Sequence, residues 1–256
     1  MRKLFNIIVL FLLVISAYGQ NSGALKFLGI PIDGSKAQFV AALKAKGFYY
    51  SSVSEGYKGQ FNGNIVDVYV HTNHDLVDRI YVAFPDKSEG NIKIEFNRLL
   101  AQFKKSDKYV DFSFNEPIPD AEDVSYEITV HDKRYQAVFQ YYDSNRGYEE
   151  ITEKAVARLA GLVPDDILVK LNDLIIGGVD RSDEEQSTLS LQVAAELQRI
   201  YGQDEMKAYE IIMAFLDGMK SAADGDVWFM IIENGAEYHI GLYYDNLHNM
   251  AHGEDL

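Results

Sequence analysis

No cysteine occurs among the 256 residues. That excludes disulfides, a thiolate nucleophile and cysteine-ligated zinc together, and it excludes the lipid-bearing cysteine of a bacterial lipoprotein. Proline is scarce, at five, and tryptophan occurs once. No tract of biased composition marks a disordered segment. The motifs of common chemistry are missing too: there is no Gly-x-Ser-x-Gly elbow, His-Glu-x-x-His, Gly-x-Gly-x-x-Gly or P-loop. The sequence therefore nominates no catalytic, cofactor-binding or metal-ligating residue, assigns no ligand-binding residue, and implies no cofactor. Basic charge is short as well: 24 Lys and Arg stand against 39 Asp and Glu, a net charge of −15. The acidity is uneven, with 17 acidic and 7 basic residues in 147–226. Nucleic acid is repelled by such a surface, because its binding rests on Lys and Arg neutralising phosphates. A cation or a basic partner would be attracted, although a solvated acidic surface that keeps the chain soluble accounts for the same charge.

Only one long apolar run is present, Leu4 to Ile15, interrupted by Asn6. Arg2 and Lys3 precede it, and Ser16-Ala17-Tyr18-Gly19 comes after it, with small residues where a signal peptidase reads. The run falls short of the roughly 20 apolar residues of a membrane span. The expectation is a signal peptide over residues 1–19, cleaved before Gln20, and a mature chain of about −17 charge that is periplasmic or extracellular, without a membrane span.

The chain from Gln20 onward reads as α+β. Ser35 and Gln38 form a capping-box pair opening a helix with Phe39, Val40 and Leu43 on its buried side and Gly47 past its end. Phe48 to Val53 returns as a strand. Asn62-Gly63 predicts a type I′ hairpin joining Tyr57–Phe61 to Asn64–Val70, and Leu76 to Phe84 is a third strand. Val66, Val68, Val70, Ile80, Val82 and Phe84 alternate onto one buried face. Ile92, Phe96, Leu99, Leu100 and Phe103 recur at helical spacing. Glu116-Pro117-Ile118-Pro119-Asp120 reads as a linker. Beyond it, Val124–Val130 and Tyr135–Tyr142 are expected as a hairpin about His131-Asp132-Lys133-Arg134, and Val227–Glu233 and Glu237–Tyr244 as another about Asn234-Gly235.

Between those hairpins, residues 149–222 read as helices, with Pro164 starting one and Gly177-Gly178 ending it. Ser182 and Glu185 open another, and a last helix carries Met206, Tyr209, Ile212, Phe215, Leu216 and Met219. The expected organisation is a signal peptide at 1–19, an α+β module at 20–112, and a second at 113–256 with a helical insertion at about 149–222, built on antiparallel sheet. Ala137–Asp143 resembles His239–Asp245, each ending Tyr-Tyr-Asp: either a weak internal repeat or convergent strand-end chemistry.

The segments Leu25–Ser35, Phe39-Val40, Leu43–Phe48 and Gly59–Gly63, the strands at 66–70 and 77–84, and the closing Tyr243-Tyr244-Asp245, Asn249 and Gly253-Glu254-Asp255-Leu256 resemble a family of exported Bacteroidota proteins. The resemblance covers roughly 25–110 and 226–256. It implies an exported setting and supplies neither mechanism nor site residues. Lys108-Tyr109-Val110 lacks the Gly and Pro that the family carries there, and 149–222 has no counterpart. The strand-helix alternation is also loosely similar to small periplasmic α+β modules of the β-lactamase-inhibitor or outer-membrane-assembly type, a likeness of fold alone.

Three clusters invite chemistry. His71 and His74 sit at a strand end. His248 and His252, with Glu254 and Asp255 beyond, could share a helical face and hold a metal, but a polar chain terminus explains them as well. Asp143-Ser144-Asn145-Arg146-Gly147 with Glu149 and Glu150 fails the calcium-loop pattern, since Gly is one position early and Lys154 replaces the bidentate Glu. Asp165-Asp166 and Asp183-Glu184-Glu185 suit helix first turns. Tyrosine is abundant, at 17. Tyr49, Tyr50, Tyr57, Tyr69, Tyr81, Tyr126, Tyr135, Tyr141, Tyr142, Tyr238, Tyr243 and Tyr244 fall mostly in or beside expected strands. Tyr is a good strand former and a good interface residue. The function expected is therefore a non-catalytic binding or interaction module that recognises a protein, peptide or glycan through a Tyr-bearing sheet face. The alternative is a periplasmic or secreted hydrolase whose Ser, His and carboxylates converge only in three dimensions.

Overall fold

The computed structural model describes residues 23–143, 145, 148–176, 183–201 and 204–251. The expected signal peptide, Gly177-Gly178, Ser182 of the second capping box, His252 and the closing Gly253-Glu254-Asp255-Leu256 lie outside the described residues. The fold is α+β. Strands β1 (Lys26–Phe27) and β2 (Ile30–Pro31) make a small hairpin. Strands β3 (Tyr49–Ser51), β4 (Gly56–Phe61), β5 (Asn64–Asn73), β6 (Leu76–Ala83), β7 (Gln136–Tyr141), β8 (Gly225–Asn234) and β9 (Glu237–Asn246) form one antiparallel sheet in the order β3-β4-β5-β6-β9-β8-β7. Helices α1 (Lys36–Ala45), α2 (Glu89–Lys105) and α3 (Val124–His131) accompany it. Helices α4 (Tyr148–Ala157), α5 (Asp165–Ile176), α6 (Asp183–Tyr201) and α7 (Glu205–Ser221) form a second, helical unit at Ser144–Ala223. Strands from both sides of residue 112 belong to the one sheet, so the expected 20–112 and 113–256 modules share a core, and the compact division falls at 143/144 and 223/224.

Local chemistry sets the first half. Ser35 Oγ accepts from Gln38 N at 3.4 Å and Gln38 Oε1 accepts from Ser35 N at 3.3 Å, closing the capping box of α1. Asn62 and Gly63 take φ of 48° and 78°, the left-handed pair that a type I′ turn requires. Val66, Val68, Val70, Ile80, Val82 and Phe84 are all buried, with Phe39 and Leu43 of α1 and Ile92, Phe96, Leu99, Leu100 and Phe103 of α2 in the same core. Phe103 stacks at 5.2 Å on Phe139 and at 5.7 Å on Phe229, which ties α2 to β7 and β8.

Two expectations fail. Val124–Val130 is a helix, not a strand, so the hairpin about His131-Asp132-Lys133-Arg134 does not exist. The segment alternates apolar and polar, but Asp123 Oδ1 caps it by accepting from Tyr126 N at 2.8 Å, and Asp132 ends it at φ 50°. Val124 and Ile128, four apart, face the core, and Tyr126 and Val130 are exposed. The partner of β7 is therefore β8, and the helical unit lies between them in sequence. The final turn is also displaced by one residue. Asn234 pairs with Glu237, and the loop is Gly235-Ala236 with Gly235 at φ 63°.

The outer edge of β7 is closed. Val110 N and Gln140 N each donate to the other's carbonyl at 2.9 Å, and the Asn115 amide brackets Val138, accepting from its N–H at 3.1 Å and donating to its carbonyl at 2.9 Å. The segments carrying the family resemblance also meet. Asn246 Nδ2 donates to Ile32 O at 2.6 Å, and Asn249 Nδ2 to Val77 O at 2.9 Å and Asp33 Oδ1 at 3.1 Å. Those residues pin the first loop to the end of β9.

In the helical unit Ile167, Leu171, Val193, Leu197, Ile212, Phe215, Leu216 and Met219 are buried, the last four as their spacing predicts. Met206 and Tyr209 are not: both are exposed on α7, where Ala208 and Ile211 are buried instead.

Candidate functional site

Strand alternation gives the sheet two faces. One bears the core and the helices α1 and α2. On the other, residues opposite each other across four strands are all aromatic. Tyr69 of β5 pairs with Tyr81 of β6, Tyr81 with Tyr243 of β9, and Tyr243 with Trp228 of β8. Their rings stack in a continuous row, with centroids 5.5, 4.7 and 3.9 Å apart and planes within 21°, 19° and 8° of parallel. All four are half-buried. Cross-strand aromatic pairs stabilise a sheet by roughly 0.2–1 kcal/mol each. Glycines make room for the row: a Cβ on Gly241 would sit 3.1 Å from both the Tyr81 and the Tyr243 ring, and one on Gly56 would sit 3.0 Å from the Tyr69 ring.

A charged lock stands beside the row. Arg79 Nε and Nη2 donate to the two Asp245 oxygens at 2.5 and 2.8 Å, and Trp228 Nε1 donates to Asp245 Oδ2 at 2.8 Å. The Arg79 guanidinium lies 5.8 and 5.7 Å from the Trp228 and Tyr243 ring centroids. The Asp245 bonds raise the Arg79 pKa further. Tyr69 OH donates to Ser54 O at 3.0 Å, and Tyr81 OH lies 3.3 Å from His239 Nε2. Burial raises the phenol pKa of Tyr69, Tyr81 and Tyr243, so the row is uncharged at neutral pH.

Of the tyrosines nominated from sequence, Tyr69, Tyr81 and Tyr243 meet in this row. Tyr135, Tyr141, Tyr238 and Tyr244 are buried in the core instead, and Tyr126 is on α3. Trp228 and Arg79 carried no sequence signal, and Asp245 stood out only as the end of the Tyr-Tyr-Asp likeness, because the register that aligns them is set by strands far apart in the chain. The Tyr-Tyr-Asp likeness does not survive as geometry. Tyr141 stands across Gly225 from Asn246, three residues away from its sequence counterpart Tyr243. An odd offset reverses the face, so Tyr141 points into the core and Tyr243 into the row.

Four of the described histidines are each held by a carboxylate. His71 Nδ1 lies 2.7 Å from Asp78, His248 Nε2 2.7 Å from Asp224, His131 Nδ1 3.0 Å from Glu127 and His239 Nδ1 3.3 Å from Asp86. Among the described residues no serine hydroxyl bonds to any of these rings, and no group of three His, Asp or Glu could hold a metal. In the rejected calcium loop, Asp143 Oδ1 accepts from Gly23 N at 2.9 Å. Among the described residues no helix is long and apolar enough to cross a membrane. No family model, curated protein or solved structure matches the chain.

Proposed function

We propose that the protein is an exported, non-catalytic binding module and that the face bearing Tyr69, Tyr81, Tyr243 and Trp228 is its recognition surface. The stacked, half-buried row carries this reading. An isolated exposed tyrosine is ordinary, whereas four stacked aromatic rings on the sheet face opposite α1 and α2 form a rigid apolar strip with little rotamer entropy left to lose on binding. The geometry favours a protein or peptide partner over a glycan. A sugar stacks on an open ring face, and here the ring faces are turned toward one another, so the row offers edges and rims. The export half of the reading rests on Arg2, Lys3, the apolar run and Ala17 and Gly19, and on the resemblance to exported Bacteroidota proteins.

Two measurements test it. The intact mass of the protein recovered from its producing cells is expected to correspond to a chain beginning at Gln20, and a full-length mass refutes export. Immobilised protein is expected to retain specific partners from an envelope extract, and Trp228→Ala with Tyr69→Ala is expected to lose them while unfolding cooperatively. Retention of the same partners by that folded variant places recognition elsewhere. Retention that is competed by free oligosaccharide but not by peptide favours the glycan.

A further inference from the structure

The two edges of the sheet are finished differently. At β7 the outward backbone groups are taken by Val110 and Asn115. At β3 none of the described residues takes their place. The ladder fixes which groups are free. Phe61 and Asn64 flank a two-residue turn and exchange both hydrogen bonds, so Gly59 and Tyr57 also face β5, and Lys58 and Gly56 face β3. Tyr49 and Ser51 meet them. The N–H and C=O of Tyr50 therefore point away from the sheet. The side chains here are open too: Tyr49, Tyr50 and Val53 are 58%, 55% and 95% exposed. Tyr49, opposite Lys58, lies on the face of the aromatic row. Tyr50, opposite Tyr57, lies on the other face, its ring 5.7 Å from that of Tyr57.

The charge at this edge runs against the rest of the molecule. Residues 36–58 carry Lys36, Lys44, Lys46 and Lys58 against Glu55 alone, in a chain of net charge −15. Lys44 Nζ is 6.0 Å from the Tyr57 ring centroid, and Lys46 ends α1. Lys58 lies 3.4 Å from Asp67, so its charge is partly matched already. Lys44 and Lys46 are exposed, with no carboxylate partner among the described residues.

We propose that β3 is a docking edge that takes an extended acidic segment of another protein as an eighth strand. Tyr50 would supply the backbone register, and alternate side chains of the incoming strand would rest on Tyr49 and Tyr50. Acidic side chains on the Tyr50 face would meet Lys44 and Lys46. A second copy fits poorly, since pairing two β3 edges sets their lysines against each other. The proposal does not depend on the aromatic row.

Main-chain pairing tolerates sequence, so a generic probe suffices: a blocked nine-residue peptide alternating Glu and Val, with a Lys-for-Glu counterpart, titrated into the full chain by fluorescence anisotropy. The Glu peptide is expected to bind at least about ten-fold more tightly than the Lys peptide, and less tightly as salt rises. Amide exchange at Tyr50 is expected to slow on binding. Lys44→Glu with Lys46→Glu is expected to weaken binding at least about ten-fold at unchanged Tm, and methylating the pairing amides of the peptide to abolish it. Absence of saturable binding up to millimolar peptide overturns the proposal, as does equal binding of the Lys peptide. Protection confined to the Tyr81 and Tyr243 amides, or protein that self-associates instead of binding peptide, overturns it equally.

Discussion

Asp245 accepts from three donors on two strands, and two of the side chains involved, Arg79 and Trp228, were not singled out by the sequence. Its carboxylate is nearly buried and Arg79 is a third exposed, so the pair is partly screened. Asp245→Ala leaves Arg79 and the Trp228 indole N–H without their acceptor. The expected cost is about 2 kcal/mol, read as a lower urea midpoint by Trp228 fluorescence, with a red-shifted folded emission. Gly59 shows how far a residue can be read from sequence. Its neighbour Gly63 is legible at once, because an Asn-Gly turn demands positive φ. Gly59 has an ordinary extended backbone, and its reason comes from elsewhere: a Cβ there would lie 2.4 Å from the Phe48 ring, which reaches it from the chain before β3. Gly59→Ala is expected to cost about 1–3 kcal/mol by displacing Phe48, and an unchanged thermal midpoint contradicts that account. Asn246 and Asn249 are opaque for the same reason, since their partners Ile32, Asp33 and Val77 are more than 170 residues away in the chain.

Elements with local causes were legible, and those decided by distant partners were not. The capping box of α1, the turn between β4 and β5 and the apolar stripe of α2 each depend on residues within a few positions, and each forms as expected. The Val124–His131 segment carries the strand signal, because its apolar residues Val124, Tyr126, Ile128 and Val130 alternate at period two. A cap at Asp123 and the Glu89 carboxylate, which accepts from Val124 N at 2.8 Å, make it a helix. Asp123→Ala is therefore expected to destabilise the protein by about 1 kcal/mol, visible as a lower denaturation midpoint; a gain in strand signal without loss of stability contradicts the helical account. In the helical unit, α4 and α7 approach closely at Gly218, where a Cβ would lie 2.4 Å from Ala155 Cα. The obstacle is backbone, which cannot rotate away as a side chain can. Gly218→Ala is expected to force these helices apart and cost about 1–3 kcal/mol, measured as a lower midpoint for loss of helical circular dichroism.

At the scale of the molecule, the fold class was legible because hairpin turns and helical periodicity mark α+β locally, whereas the seven-strand order was not, since it depends on β6 meeting β9 and β7 meeting β8 across long stretches of chain. Two consequences are measurable. Burial pushes the phenols of Tyr109 and Tyr141 up to about 12, with each raised further by neighbouring phenol or carboxylate oxygens. The unfolded chain releases these protons near pH 10, and the folded chain holds them until about pH 12. Their contribution to stability is thus complete below pH 10 and is lost as the pH rises to 12; urea midpoints at pH 9 and 11.5 are expected to differ accordingly, and Tyr141→Phe to reduce the difference. The second consequence concerns the helices. The chain leaves the sheet after β7 and rejoins it at β8, and its two flanks are bonded to each other: Asp224 N donates to Tyr141 O at 2.9 Å, and Asp143 N to Asp224 Oδ2 at 2.7 Å. Residues so bonded are only about 5 Å apart at Cα, a gap that a few residues close at little entropic cost. The core of the sheet unit is assembled from residues outside Ser144–Ala223. Replacing 149–222 by a short Gly/Ser loop is therefore expected to leave a chain that unfolds cooperatively, with strand circular dichroism retained and most helical signal gone. Trp228 should stay stacked on Tyr243, with its fluorescence unchanged. A non-cooperative transition, or a red-shifted Trp228, would mean that the sheet needs the helices to fold.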